Sequence, residues 1–391
     1  MRVVMLSNSF PPEIGGIQEH VSNLAQTLAQ QGHQLKIVTV RRNKSERVRD
    51  TFAGLDVTRV PQLNLPKTLT TQYLAITTAL LIAMRLRGQA DVVHYHTFWP
   101  DAFTAFVVNK FVPTVYTAHE SRFLLMAEQP KSRRWLKLAL RPFQGILAPS
   151  TELLEVTRQL GVSSEKSAFV ANAVDAGKFR TDLTGATVRA RYGVPLDHCL
   201  ILCPRRLVPK NGLEFLIESL PLIRRRFSGG VSVLIAGDGP ERAKLEARVR
   251  ELDLHESVIF AGSQDNDDLP EFYAAADIVA IPSLKEATSI AGLEAMASAC
   301  AVVATNVGGL PEIIEDGVSG LLVPPREPEA LALAITRLIE RPELRKQLGL
   351  AARARVEQKF TWEQVASETT RGYERAIAVW HGRPMPLLAE A

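Results

Sequence analysis

The chain of 391 residues has few cysteines, no long apolar run and little net charge, and each shortage excludes a class of protein. Its three cysteines, Cys199, Cys203 and Cys300, stand among apolar residues without metal-ligand partners. They read as core thiols of a reducing compartment, which excludes a disulfide framework. No uninterrupted apolar run approaches the ~18 residues a membrane span needs, and the longest candidate, residues 73–84, is broken by threonines. The opening Met-Arg-Val-Val-Met-Leu-Ser lacks the basic and apolar regions of a secretory signal and reads as a first strand. A soluble, cytoplasmic protein is expected, with peripheral contact at the inner face of a membrane left open. The net charge of +4 is uneven: residues 1–175 hold 20 Lys/Arg against 13 Asp/Glu, and the remainder 26 against 29. A basic first half suits an anionic acceptor or a membrane surface. Nucleic acid is not expected, because the basic residues are dispersed and no nucleic-acid motif is present.

What is present is a repeated alternation of strand and helix. With 46% hydrophobic and 23% charged residues, the chain is globular and long enough for two cores. Residues 2–6 read as a strand, 17–31 as a helix ending at Gly32, and 34–40 as a strand, with further buried strands at 91–96, 113–117 and 145–149. The theme restarts after about residue 190, with strands at 200–203, 231–236, 258–260, 278–281 and 301–305. Such alternation predicts an α/β chain of two doubly wound, largely parallel sheets. Residues 172–193, short and polar, read as the connection. Residues 361–380 form an amphipathic helix, and 385–391 read as a disordered tail.

In sheets of this kind ligands bind beyond the carboxyl ends of the strands, so chemistry is sought in the loops there. The most informative stretch follows the 278–281 strand. It carries Glu286, then Thr288 and Ser289 as candidate N-caps, then Glu294 on a helix rich in Ala, Met and Leu. A helix N-terminus suits a phosphate. Glu294 would lie about 7 Å further along, at ~1.5 Å per residue, within reach of a ribose on that phosphate. Glu286 would face a sugar on its other side, so the arrangement suits a nucleotide-sugar.

The paired glutamates, with Gly308-Gly309-Leu-Pro-Glu312 after them, resemble those of retaining glycosyltransferases of family 4 (GT-B fold, glycosyl transferases group 1), and the likeness covers nearly the whole chain. It implies two Rossmann-like domains facing each other across a cleft: an acceptor domain at 1–175, a donor domain at 190–365, and a final helix from 366 to 391 packing back on the first. Gly15 and Gly16 match the donor-phosphate loop, with Gln18 where the family usually has Glu. His119, in Thr-Ala-His-Glu, matches the histidine that orients the donor sugar near the acceptor. Arg206 and Lys210 match the cations that neutralise the diphosphate. Arg205 is a neighbour, and Asn211 occupies the usual lysine place. Main-chain N–H groups of Ser289, Ile290 and Ala291 would bind phosphate, with Ser289 standing where the family has Gly. Ser263 and Gln264 would line the base, while the Ala236–Pro240 turn is read as structural.

The implied reaction moves a sugar from a nucleoside diphosphate sugar (UDP- or GDP-sugar) to an acceptor hydroxyl, in glycolipid, polysaccharide or glycoconjugate synthesis. Attack comes from the front face, without cofactor or metal. His94 and His96 hint at a metal, but no third ligand is evident. Their spacing puts both on one strand face, as pocket lining or as plain structure. The extended motif argues against a GT-B epimerase or phosphorylase. A glycosidase would not need the basic and Gly-Gly loops. A non-catalytic nucleotide-sugar-binding protein or inactive transferase partner is the remaining alternative. Residues 131–141 form a basic amphipathic helix with a tryptophan, suited to an anionic membrane or to ordinary solvent.

Overall fold

The computed structural model describes residues 1–13, 16–43, 45–61, 68–119 and 121–383. The chain forms two compact units: Met1–Asn172 together with the segment from Trp362 on, and Ala173–Thr361.

In the first unit the strands are β1 (Arg2–Leu6), β2 (Gln34–Arg41), β3 (Arg49–Phe52), β4 (Leu55–Pro61), β5 (Val92–Tyr95), β6 (Thr114–Thr117), β7 (Gly145–Ala148) and β8 (Ser167–Phe169). They lie in the order β3-β4-β2-β1-β5-β6-β7-β8. All neighbours are parallel except β3 and β4, joined through Ala53 and Gly54, both at positive φ. The central strands β5, β6 and β7 are buried throughout, as apolar runs covered by helices on both faces must be. Strand order turns outward on either side of β1 and β5, so the loops after these two strands open the crevice where ligands bind in such sheets. The Trp362–Trp380 helix covers β6 and β7: Gly372 packs on the Leu147 side chain, and Trp380 Nε1 donates to the Asn109 carbonyl at 2.7 Å.

The second unit holds β9 (Cys199–Cys203), β10 (Val231–Ala236), β11 (Val258–Gly262), β12 (Ile278–Ile281), β13 (Ala301–Thr305) and β14 (Leu321–Val323). All six are parallel, in the order β11-β10-β9-β12-β13-β14. Their core includes Ile201, Ile217, Val233, Ile235, Val303 and Ile335, each such burial contributing about 1.5–3 kcal/mol. The reversal of order falls between β9 and β12, and the loops after these two strands carry the residues singled out from the sequence.

The second unit begins at Ala173 rather than near 190, because the intervening segment packs on it. Arg189 donates to the Ala275 carbonyl at 3.0 Å and pairs with Asp277 at 2.7 Å. Gly185, at φ +59°, lies so close to the Ala275 backbone that a Cβ would overlap it. The connection expected at 172–193 thus holds structure, including the Ala186–Arg191 helix. The tail from 385 lies outside the described residues. Among the described residues no helix is long and apolar enough to cross a membrane. The three cysteines are buried and unpaired, and burial pushes the Cys203 and Cys300 thiols up to about 12, so they are inert.

Candidate active site

In the second unit the loops after β9 and β12 are locked together. The Leu284 N–H donates to the Lys210 carbonyl at 2.7 Å. Gly212, at φ +63°, sits against the Pro282 carbonyl with no room for a side chain. Arg205 reaches from one loop to the other. Its Nη2 donates to Asn211 Oδ1 and Ser283 Oγ, both at 2.9 Å, and forms an ion pair with the Glu286 carboxylate. The two side chains are only 10% and 7% exposed. A pair so dry holds its geometry through the extra hydrogen bonds from Asn211 and Ser283. The Arg205 Nε is buried without a partner among the described residues, a spare charged donor beside the carboxylate.

Two glycine loops press on this pair. Gly237 and Gly239, after β10, lie against the carbonyls of Arg205 and Leu207, and the Leu207 N–H donates to the Asp238 carbonyl at 3.0 Å. Gly308, after β13 and at φ +54°, touches the Glu286 carbonyl so closely that a Cβ would overlap it. Gly309 N–H donates to the same carbonyl at 3.2 Å.

Ser289, not Thr288, caps the Ile290–Ala297 helix, its Oγ accepting from the Gly292 N–H at 3.1 Å. The N–H groups of Ile290 and Ala291 come first in this helix and lack intrahelical acceptors. Glu294 is buried on the same helix, where the Tyr273 hydroxyl donates to its Oε2 at 2.7 Å. Burial and the Glu294 charge hold that phenol far above its ordinary pKa, so it remains a donor.

The structure puts Arg205, not Arg206, beside Glu286. Arg206 is exposed, and its carbonyl accepts from Asn211 Nδ2 at 2.8 Å. Asn211, in the usual lysine place, therefore braces the loop. Lys210 is exposed on the short 3-10 turn Pro209–Asn211. After β11, Ser263 is exposed, while the Gln264 amide turns back to the Ala261 and Gly262 carbonyls at 2.8 and 3.1 Å.

In the first unit Gly15 lies outside the described residues and Gly16 opens the Gly16–Gln30 helix. His119 follows β6, and its Nε2 is 3.0 Å from His96 Nδ1, so one of these nitrogens must carry the proton the other accepts. His94 is fully buried between the Tyr373 hydroxyl at 2.8 Å and Thr117 Oγ1 at 2.7 Å, which makes it a structural residue. The third imidazole that the sequence did not reveal is His20. Its ring centroid is 4.4 Å from that of His119. One ring nitrogen from each of His20, His96 and His119 falls within 4.8 Å of the others. Such an all-nitrogen set has the chemistry to hold a zinc-like ion rather than magnesium. The Asp265-Asn266-Asp267 triplet has the spacing of a metal motif, but Asp267 is exposed and pairs with Lys178 at 2.9 Å.

Burial lowers all four of these histidines, His20 to about 4 and His94 to about 3, with His96 and His119 well below their ordinary range. They are neutral at pH 7. The folded unit therefore takes up fewer protons than the unfolded chain below pH ~6.5, and its stability falls from there towards pH 4. His20 alone accounts for about 2 kcal/mol between pH 8 and pH 5. Calorimetry should show a falling first-unit Tm over that range, less steep in His20→Gln. An unchanged Tm would refute the buried neutral state.

Two family profiles span the chain. Residues 14–178 match the profile of Glycosyltransferase Family 4, and residues 186–355 that of Glycosyl transferases group 1. A D-inositol 3-phosphate glycosyltransferase of Kineococcus radiotolerans is 31% identical, over 96% of this chain and 95% of that relative. The chain belongs to glycosyltransferase family 4. An uncharacterized glycosyltransferase of Methanocaldococcus jannaschii is 28% identical, over 96% of this transferase and 99% of its own length. Among solved structures, the sucrose-phosphate synthase of Thermosynechococcus elongatus superposes with a TM-score of 0.80 at 22% identity, over 96% and 99% of the two chains. HepE of Anabaena, in complex with UDP-glucose, gives 0.74 at 22%, over 94% and 99%. The fold of this glycosyltransferase is accordingly GT-B, with two Rossmann-like domains.

Proposed function

We propose that this glycosyltransferase is a retaining enzyme that moves a sugar from a nucleoside diphosphate sugar to an acceptor hydroxyl. One observation carries the reading: a helix N-terminus flanked by two buried carboxylates, with a buried guanidinium tied to the first. The N–H groups of Ile290 and Ala291, with Lys210, Arg206 and the spare Nε–H of Arg205, take the diphosphate. Glu294 takes the ribose hydroxyls and Glu286 those of the transferred sugar. Ser263 and Gln264 lie at the base. Glu286, paired to Arg205, stays an acceptor and is not a free nucleophile. The bond from the anomeric carbon to phosphate breaks on the face where the acceptor oxygen attacks. The acceptor proton passes to the departing phosphate, which the cations neutralise without a metal. The UDP complexes of HepE favour a UDP-sugar over a GDP-sugar. The inositol-phosphate relatives and the basic first unit favour an anionic or lipid-linked acceptor.

A thermal-shift panel of UDP, GDP and ADP with their sugar conjugates, with and without EDTA, tests this. One nucleotide should raise Tm regardless of EDTA, and Glu294→Ala should weaken it about tenfold or more, the worth of a hydrogen bond to a charged group. The product should keep the donor's anomeric configuration by NMR. No shift from any nucleotide overturns the donor reading, an inverted product overturns retention, and binding without turnover leaves a non-catalytic binder.

A further inference from the structure

A continuous apolar surface crosses three elements of the first unit, and no described residue covers it. Trp99 lies 5.1 Å, ring to ring, from Phe103 on the Ala102–Val108 helix, and Phe103 lies 6.4 Å from Trp135 on the Pro130–Ala139 helix. Trp99 is 64% exposed, Trp135 58% and Leu138 43%. Leu125, 46% exposed, sits on the adjoining Ser121–Glu128 helix. Two tryptophans held at such exposure are a feature of surfaces that meet an apolar partner.

Helical spacing sorts the Pro130–Ala139 helix into faces. Leu136 and Ala139 point into the core. Lys131, Trp135 and Leu138 share an exposed face beside that one, at i, i+4 and i+7, and Arg134 borders it. The helix contains no acidic residue. Lys131, Arg134 and Arg141 are exposed and make no ion pair among the described residues. An apolar stripe rimmed by unpaired cations matches the boundary of an anionic bilayer, apolar side chains at the acyl edge and cations at the phosphates.

We propose that this face docks on an anionic membrane surface, with Trp99, Trp135, Leu138 and Leu125 entering the headgroup boundary and Lys131 and Arg134 binding lipid phosphates. The aliphatic members decide between partners. Single-stranded nucleic acid offers stacking to tryptophan, but nothing that rewards exposing Leu125 and Leu138 beside it, whereas lipid takes both kinds. The inference goes beyond the transfer reaction and stands without it.

The full chain would be sedimented with vesicles of phosphatidylcholine alone or with about one-third phosphatidylglycerol. It should bind the anionic vesicles only and come off at about 0.5 M salt, where screening is short-ranged. A Lys131→Glu/Arg134→Glu variant should partition about tenfold less or worse, as each lost basic contact removes a large factor. A Trp135→Ser/Leu138→Ser variant should lose binding too, with only a small fall in Tm because both side chains are about half exposed. No sedimentation with anionic vesicles, or binding indifferent to both variants, overturns the proposal. So does capture of single-stranded RNA in place of vesicles with the same sensitivity.

Discussion

Replacing Glu286 by glutamine lowers kcat by about a hundredfold to a thousandfold, the range seen when one preorganised group at a reacting centre is removed, and lowers Tm less than alanine does at the same position. Glutamine keeps the shape of the side chain and an oxygen for Arg205 and Ser283, so the bracket that holds the β9 and β12 loops survives. What it loses is the charge that balances the buried guanidinium and that polarises the hydroxyls of a bound sugar. Alanine is expected to do worse. It strands Arg205 at 10% exposure without its counter-charge, a fault that costs about 3–5 kcal/mol in buried pairs. The two variants together separate structure from chemistry. A purely structural role for Glu286 predicts activity that tracks Tm, hence a glutamine variant that turns over normally at temperatures where it is folded. If Glu286→Gln kept more than about a tenth of native kcat, the carboxylate would be excluded from the reaction.

The second large effect belongs to a residue with no side chain. Gly308→Ala should lower the stability of the second unit by about 3 kcal/mol or more, a fall in Tm of roughly 6–12 °C for a unit of this size, and should abolish donor binding in whatever folds. Two causes add. The backbone stands at φ +54°, which alanine adopts only with strain, and the new Cβ would overlap the Glu286 carbonyl oxygen. That oxygen also accepts from the Gly309 N–H at 3.2 Å, so it cannot retreat without giving up a hydrogen bond. The clash is with main chain, which no rotamer change relieves, and the segment pushed aside is the one that carries Glu286. A Gly317→Ala control separates the two causes, since Gly317 has positive φ with open space around it and should cost about 1 kcal/mol. Equal melting of both variants would show that the approach to Glu286 contributes nothing.

Much of this was legible in the chain because it is local in sequence. Segments such as 200–203 and 278–281 are unbroken apolar runs, and Glu286, Ser289 and Glu294 fall within nine residues whose strand-to-helix passage has recognisable caps. The remainder is non-local or has no period to read. Nothing in the neighbouring pair Arg205 and Arg206 says which turns inward. That choice is made by Asn211 and Ser283, one of them on a different loop. The triad of imidazoles is drawn from three segments about a hundred residues apart at the extremes, and His20 passes in the sequence for an ordinary helical position. Strand β3 is an exposed, polar edge and β14 has three residues, too little pattern for either to announce itself. Strand β4 does alternate at its start, Leu55 and Val57 inward against Asp56 outward, and a period-two reading of residues 55–58 was available before Arg59 breaks it. Unit limits were misplaced because residues 173–193 look like linker by composition, while Arg189 ties them to Asp277.

The Trp362–Trp380 helix belongs to the first unit although the whole of Ala173–Thr361 comes before it. On the ribosome, then, the order of completion reverses the order of encoding. The uninterrupted second unit has all its parts in hand while the first still waits for the helix that covers β6 and β7. Until it arrives, Leu147 is without Gly372 and the buried His94 without the hydroxyl of Tyr373. The nascent chain carries an uncovered sheet face through most of its synthesis, and the first unit becomes whole only after the second has emerged.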